Sequence, residues 1–241
     1  MTAPTRFSQL KTISRSPLHY QYALTHDFEQ TPAMRLGTLV HRMVLGGPET
    51  IAYDGTRRGK EWEAFKAAND GVEIVTVSER DAARAIADAV QRDRRVTELL
   101  AGTVKEQRIT GRLHGRDVCG TPDAYNDEMV LDLKTCADAR PEAFSWQARK
   151  MHYGPQVCWY GDLLGGRKRH ILIAVETKAP YPVTVLELTP AMVDMGRRTY
   201  IGWIEMLQAC ELAGVWPGYS EAILPLDAVE SLDLDFTEAA E

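Results

Sequence analysis

Apolar and polar positions recur with two different periods along this chain, and the change of period divides it. Up to about residue 100 the apolar residues return at helical spacing. Residues 6–25 and 33–46 read as helices, and in the second Leu36, Leu39, Val40 and Met43 form one apolar stripe. Residues 47–60, rich in Gly, Pro and charge, read as a loop, and 60–69 as a short helix. A short strand is expected over 73–78, with Ser78 as an N-cap followed by Glu79 and Asp81. The helix it opens runs to about Leu100 on Ala82, Ala85, Ile86, Ala89 and Val90. From residue 104 the period becomes two, the signature of strands. Residues 104–113 and 116–125 read as antiparallel neighbours joined by His114-Gly115, and 129–134 as a third strand. Helices over 141–151 and 153–165, strands over 170–177 and 181–188, and a long helix over 190–214 complete the pattern. It contains no repeat and no low-complexity linker. The expected organisation is one α/β domain over residues 1–226, followed by a loose acidic tail over 227–241.

Within the strand region lies the run Cys119-Gly-Thr-Pro-Asp123-Ala-Tyr-Asn-Asp-Glu-Met-Val-Leu-Asp132-Leu-Lys134-Thr135. Strand side chains alternate faces, so Asp132 and Lys134 share one face and Leu131 and Leu133 the other. Asn126-Asp127 is a turn signal. A turn centred there pairs Tyr125 with Glu128 and Asp123 with Val130, making Asp123 a diagonal neighbour of Asp132. Two carboxylates at that spacing suit a hard divalent cation, which typically takes one or two carboxylates and fills its octahedron with water and phosphate. Such an ion neutralises a phosphodiester and acidifies a bound water. A lysine on the same face can hold the attacking water, help deprotonate it, or stabilise the transition state. The plainer alternative is a hairpin with two solvated acids and a surface lysine. Glu106, on the preceding strand, either approaches the same cation from the side or is an exposed strand acid. His41 lies beside the apolar stripe of its helix, with Gly37 one turn earlier leaving room at the imidazole; on its own it is equally a core or surface histidine.

Bulk properties narrow the classes. The 241 residues are 44 % hydrophobic, enough for a substantial core, and no segment has the roughly 18 consecutive apolar residues of a membrane helix. No signal-type apolar run follows Met1, so a cytoplasmic protein is expected. Cys119, Cys136, Cys158 and Cys210 are scattered, which argues for reduced thiols and against an iron–sulfur cluster. A net charge of −6 excludes a protein that coats nucleic acid, but not one with local contacts. Candidate basic patches are Arg57-Arg58-Gly-Lys60, residues 105–116 and Arg167-Lys168-Arg169, each of which is otherwise a solvated surface.

The Asp123…Asp132-x-Lys134 pattern resembles the PD-(D/E)XK nuclease superfamily, most closely the branch of RecE-like (exonuclease VIII) and RecB-like domains. Five further segments are similar to that branch in the same order: Ser8-Gln-Leu-Lys11 through Pro17 and Tyr20, Leu36-Gly37-Thr-Leu-Val-His41, Gln156-Val-Cys-Trp-Tyr160, Val175-Glu176 through Pro180, and Trp216-Pro-Gly218-Tyr219. The third acidic position is Asp132 where much of the superfamily has glutamate, although aspartate is usual in this branch. The resemblance implies a restriction-endonuclease-like core, a mixed central β-sheet flanked by helices. It implies Mg²⁺, with Mn²⁺ able to substitute, held by His41, Asp123, Asp132 and the Leu133 carbonyl. Lys134 then positions and activates water, and Gln156 and Tyr160 orient substrate. It further implies a 5′-to-3′ exonuclease on linear double-stranded DNA ends, a homo-oligomer, and a single-strand annealing protein as partner. The rivals are a RecB-like nuclease of other polarity, an endonuclease, and an inactive DNA-binding module of the same fold.

Overall fold

The computed structural model describes residues 3–26, 29–220 and 222–223. The expected tail over 227–241 lies outside them. In chain order the elements are β1 (Thr5–Arg6), α1 (Phe7–Leu10), a 3-10 turn (Lys11–Ser14), α2 (Pro17–Ala23), α3 (Pro32–Leu45), β2 (Thr50–Tyr53), α4 (Gly59–Ala68), β3 (Glu73–Thr76), α5 (Val77–Arg92), α6 (Arg94–Leu100), β4 (Val104–Lys105), β5 (Ile109–Leu113), β6 (Arg116–Gly120), β7 (Ala124–Tyr125), β8 (Met129–Cys136), α7 (Pro141–Lys150), α8 (Tyr153–Leu164), β9 (Arg169–Glu176), β10 (Val183–Glu187) and α9 (Pro190–Ala213). Three helices open on the same device, a hydroxyl at the N-cap and proline at the first helical position: Ser16-Pro17, Thr31-Pro32 and Thr189-Pro190. The hydroxyl accepts a free N–H of the first turn, and proline has no N–H to leave unpaired.

The central sheet has the order β10-β9-β8-β7-β4. Only β8 and β9 run parallel, joined by a crossover through α7 and α8; the other pairs are antiparallel. Both parallel strands are buried, as strands covered on two faces must be. On one face Val130, Cys136, Leu172 and Ala174 pack with Val157 and Trp159 of α8 and Ile204 and Leu207 of α9. On the other, Leu131, Leu133, Ile171, Ile173 and Val175 pack with Leu39 and Val40 of α3 and Ile86 and Val90 of α5. Asp132 and Lys134 therefore interrupt an otherwise apolar face beneath α8, in the alternation the sequence predicts.

Several boundaries differ from the sequence reading, each for a local reason. The helix expected over 6–25 is broken at Ser16, which is extended (φ −173°, ψ 159°) because the residue before proline avoids the helical region. The two long strands over 104–113 and 116–125 are each split. β4 and β7 belong to the central sheet, whereas β5 and β6 form a separate sheet with β1. Thr121-Pro122 separates β6 from β7, since proline cannot continue a ladder. Glu106 at φ 51° turns the chain out of β4. The expected loop over 47–60 contains β2, paired in parallel with β3. The cap of α5 is Thr76, not Ser78: Thr76 and Glu79 bond reciprocally as a capping box. That frame buries Ala83, Ile86, Ala87 and Val90, leaving Ala82 exposed, and Asp93 ends the helix before Leu100.

Candidate active site

Asp123 follows Pro122 directly before β7, and Asp132 and Lys134 project from the middle of β8. The hairpin between them is longer than the expected turn. Asn126 Oδ1 accepts the N–H groups of both Glu128 and Met129 at 2.9 Å, and the Asn126 N–H donates to the Met129 carbonyl. The side chain thus closes a loop with two extra residues, so Tyr125 pairs with Val130 and not with Glu128. Two residues back along the same ladder, past the Ala124–Leu131 pair, Asp123 falls opposite Asp132 and not opposite Val130. This register brings the two acids closer together than the diagonal placement would. Asp123 Oδ2 accepts the Leu133 N–H at 2.6 Å, replacing the ladder bond that β7 no longer makes. The N–H and C=O of one strand residue point to the same edge, so the Leu133 carbonyl faces this gap too.

His41, on the third turn of α3, places Nδ1 3.4 Å from Asp123 Oδ1. Glu106 arrives from the end of β4, its N–H donating to the Asp123 carbonyl at 3.1 Å. One ligand atom each of His41, Glu106 and Asp123 lie within 4.8 Å of one another. Glu106 joins this trio and Asp132 does not; Asp132 Oδ2 instead faces Lys134 Nζ at 2.6 Å. That pair has ion-pair distance but not hydrogen-bond geometry, and the buried Oδ2 has no hydrogen-bond donor among the described residues. Two carboxylates and an imidazole gathered at this spacing, beside an undersatisfied buried carboxylate, form a donor set that could hold a divalent cation. Gly37 serves a different neighbour from the one expected: a Cβ there would meet Thr135 Oγ1 at 3.2 Å, so the glycine lets α3 approach β8.

The electrostatics separate the two aspartates. Burial pushes Asp132 up to about 6, and repulsion from Asp123 adds to that against the pull of Lys134. Burial also raises Asp123, but His41, Lys134 and the Leu133 N–H outweigh it and hold it below the usual carboxylate range. His41 is raised: burial opposes its charge, and Asp123 more than compensates. Glu106 is raised by burial and by Asp123. Lys134 is raised in spite of burial, because Asp132 and Asp123 both face it, so it stays an ammonium. Its Nζ also lies 5.0 Å from the centre of the Tyr153 ring.

Gln156 and Tyr160 share a face of α8, and Gln156 Nε2 donates to Tyr160 Oη at 3.0 Å. They do not share an exposure. Gln156 lines a cleft of about 890 Å³ with Lys11, His41, Glu106, Lys134 and Gln147. Tyr160 is 7 % exposed and packs behind Gln156 against Gly120. The expected basic patches are largely tied down. Arg116 is bidentate to Glu211, Arg169 to Glu187, Lys168 bonds backbone carbonyls, and Arg57 bonds the Ile74 carbonyl beside Glu79.

The family model of a PDDEXK-like domain of unknown function (DUF3799) matches residues 6–227. The chain belongs to the PD-(D/E)XK nuclease superfamily. Among solved structures, a candidate exonuclease from Eubacterium rectale superposes with a TM-score of 0.68 at 14 % identity, covering 97 % of this chain and 93 % of that one. At that identity the likeness shows the fold alone. An alkaline exonuclease from Laribacter hongkongensis (TM-score 0.31, 12 % identity, 73 % and 91 % of the two chains) and a phage-related exonuclease from Haemophilus somnus (0.37, 11 %, 89 % and 98 %) are too distant in shape to carry an argument. No curated protein matches the chain by sequence. No helix among the described residues is long and apolar enough to cross a membrane.

Proposed function

We propose that this protein hydrolyses DNA phosphodiesters with a divalent cation, Mg²⁺ in the first instance. The observation that carries the reading is the convergence of His41, Glu106 and Lys134 on one cleft, with Asp123 and Asp132 buried against them, from four separate stretches of the chain. His41, Glu106 and Asp123, with Asp132 and the Leu133 carbonyl beside them, would hold the ion. When bound there it would supply charge neutralisation at the phosphate and a more acidic water. Hydrolysis places a water oxygen on phosphorus opposite the leaving oxygen, which departs with a proton. Lys134, held as an ammonium, acts as a hydrogen-bond donor to the water or to the charge that builds on the phosphate, and not as the base. Gln156, braced by Tyr160, orients the strand in the cleft, so Tyr160 is a positioning residue.

The narrower reading is a 5′-to-3′ exonuclease acting on linear double-stranded ends, a single nuclease domain over residues 1–226 that leaves single-strand tails for recombination. It rests on the RecE-like motif order, which also suggests a homo-oligomer and a single-strand annealing partner. Digestion of an end-labelled blunt duplex and its covalently closed circle, in Mg²⁺ or EDTA, tests it. Loss of the linear form alone, in Mg²⁺ alone, with early release of the 5′ label, is the expected result. Cutting of circles would make it an endonuclease, and binding without cleavage an inactive module.

A further inference from the structure

Lys11 is the one lysine besides Lys134 that lines the cleft. It opens the 3-10 turn after α1 and is partly buried. Unlike Arg116 and Arg169, it has no ion-pair or side-chain hydrogen-bond partner among the described residues. The charges along the cleft form a series. The sheet order β4-β7-β8 sets Glu106, then Asp123, then Asp132 and Lys134 across the site, and the charges that act on Lys11 are those of Lys134 and Asp132, with His152 beside it. Glu106 and Lys11 therefore stand at opposite ends of the site, with Asp123, Asp132 and Lys134 between them. Lys134 is matched by Asp132 and His41 by Asp123, which leaves Lys11 as the uncompensated cation. Burial and the charge of Lys134 both work against its ammonium. A half-buried cation beside another cation is costly unless an anion arrives to meet it. The neighbouring cleft side chains Gln147 and Gln156 are neutral, so none of them supplies that anion.

We infer that Lys11 receives a backbone phosphate of the nucleic-acid strand, next to the scissile one, on the side of Lys134 away from Glu106. The inference rests on the nuclease reading above and adds a strand path to it: from the acid cluster, past Lys134, to Lys11. A lysine suits this role because its compact charge meets a phosphate without demanding a bidentate approach. Its contribution is to binding and register, since it does not reach the acid cluster where the bond breaks.

The test compares wild type, Lys11→Gln, Lys11→Met and Lys11→Arg on a fluorescent blunt duplex. Binding is followed by anisotropy in Ca²⁺ across a salt series, and cleavage in Mg²⁺. One lost phosphate contact lowers the slope of log affinity against log salt by roughly 0.7–0.9. That loss is expected for Lys11→Gln and Lys11→Met, with KM raised about tenfold and kcat changed much less, while Lys11→Arg keeps the slope. A neutral methylphosphonate at one linkage near the cleaved end should bring wild type down to the level of Lys11→Gln and leave that variant unaffected. Thermal denaturation without DNA should show both neutral variants folded and no less stable than wild type. Equal slopes in wild type and Lys11→Gln, with wild type cleaving normally, would overturn the role of Lys11 and leave the nuclease reading intact. A wild type that neither binds nor cleaves duplex would overturn both.

Discussion

A single methyl group at Gly120 should disable this site from behind. Gly120 ends β6, and a Cβ built there lies 2.5 Å from Tyr160 Cε1 and 2.8 Å from Cδ1. Ordinary contact begins near 3.4 Å, so the ring must retreat by about 0.9 Å (3.4 minus 2.5). Tyr160 cannot retreat freely, because it is 7 % exposed within the core under α8. Overpacking of this kind costs about 1–3 kcal/mol, and a forced retreat of this size belongs at the upper end; set against the roughly 0.5–1 kcal/mol that alanine typically gains over glycine in a strand, it leaves a net loss of about 2 kcal/mol. At roughly 2–4 °C per kcal/mol for a chain of this size, Gly120→Ala should melt about 4–8 °C lower. The ring carries the hydroxyl that holds Gln156 at 3.0 Å, so cleavage should fall as well, by roughly 10- to 100-fold if the misplacement approaches 1 Å. Scanning calorimetry and initial rates on the same preparations measure both effects. In the double variant with Tyr160→Leu, the stability losses should sum to less than the two single losses, because the clash has been removed. A Gly120→Ala protein as stable and as active as wild type would refute the packing argument and the bracing role of Tyr160.

Three further outcomes follow from the same geometry. A cation bound only by the folded state should stabilise it by about 2.7 kcal/mol at one hundred times its dissociation constant, or roughly 5–11 °C in melting temperature; Asp123→Asn and Glu106→Gln should shrink that shift, and an unchanged shift in both would remove them from the cation site. Proton and cation compete for His41, whose imidazole is stabilised as the cation by Asp123: that stabilisation is fully present below the ordinary histidine value near 6.5 and is lost as pH rises through the raised folded value. The metal-induced shift in melting temperature should therefore grow with pH through a window above 6.5, and a shift independent of pH between 6 and 8 would exclude His41 as a ligand. Asp162 joins α8 to α9 by accepting two-pronged bonds from Arg197 at 2.6–3.0 Å and one from Tyr200; Asp162→Asn should cost about 1–3 kcal/mol, less than the roughly 3–5 kcal/mol of a broken, fully buried pair because Arg197 is partly exposed, and an unchanged denaturant midpoint would show that the network contributes nothing.

The parts of this molecule that the sequence exposes are those written in a period. Alternation through Leu131, Asp132, Leu133 and Lys134 assigns the faces of β8 correctly, and the stripe Leu39–Val40 assigns the inward face of α3. The hairpin register was not legible, because it depends on the Asn126 side chain closing a longer loop, and a two-residue shift preserves the alternation that periodicity detects. The splitting of the long strands hung on Pro122 and on the left-handed turn at Glu106. Glu106 itself belongs to the site only because Lys105 pairs with Ala124, a long-range register that no local pattern carries. Lys11 escaped notice for a related reason. Clustered basic residues draw attention in a sequence, yet here Arg57, Arg112, Arg116, Lys168 and Arg169 are paired with carboxylates or carbonyls, and the isolated lysine is one that lines the cleft. The Asp162–Arg197–Tyr200 network joins residues 35 and 38 apart and has no local signature.

The most direct test of the central claim is the single-turnover cleavage rate of a blunt duplex by Lys134→Met beside wild type, with Mg²⁺ and with EDTA, at matched occupancy by DNA. Removal of one donor aimed at developing charge typically costs 10²–10³ in rate. The account predicts a loss of at least that order for Lys134→Met with duplex binding retained, and no cleavage by wild type in EDTA. A Lys134→Met protein that cleaves at the wild-type rate, or a wild type that cleaves as well in EDTA, would contradict it.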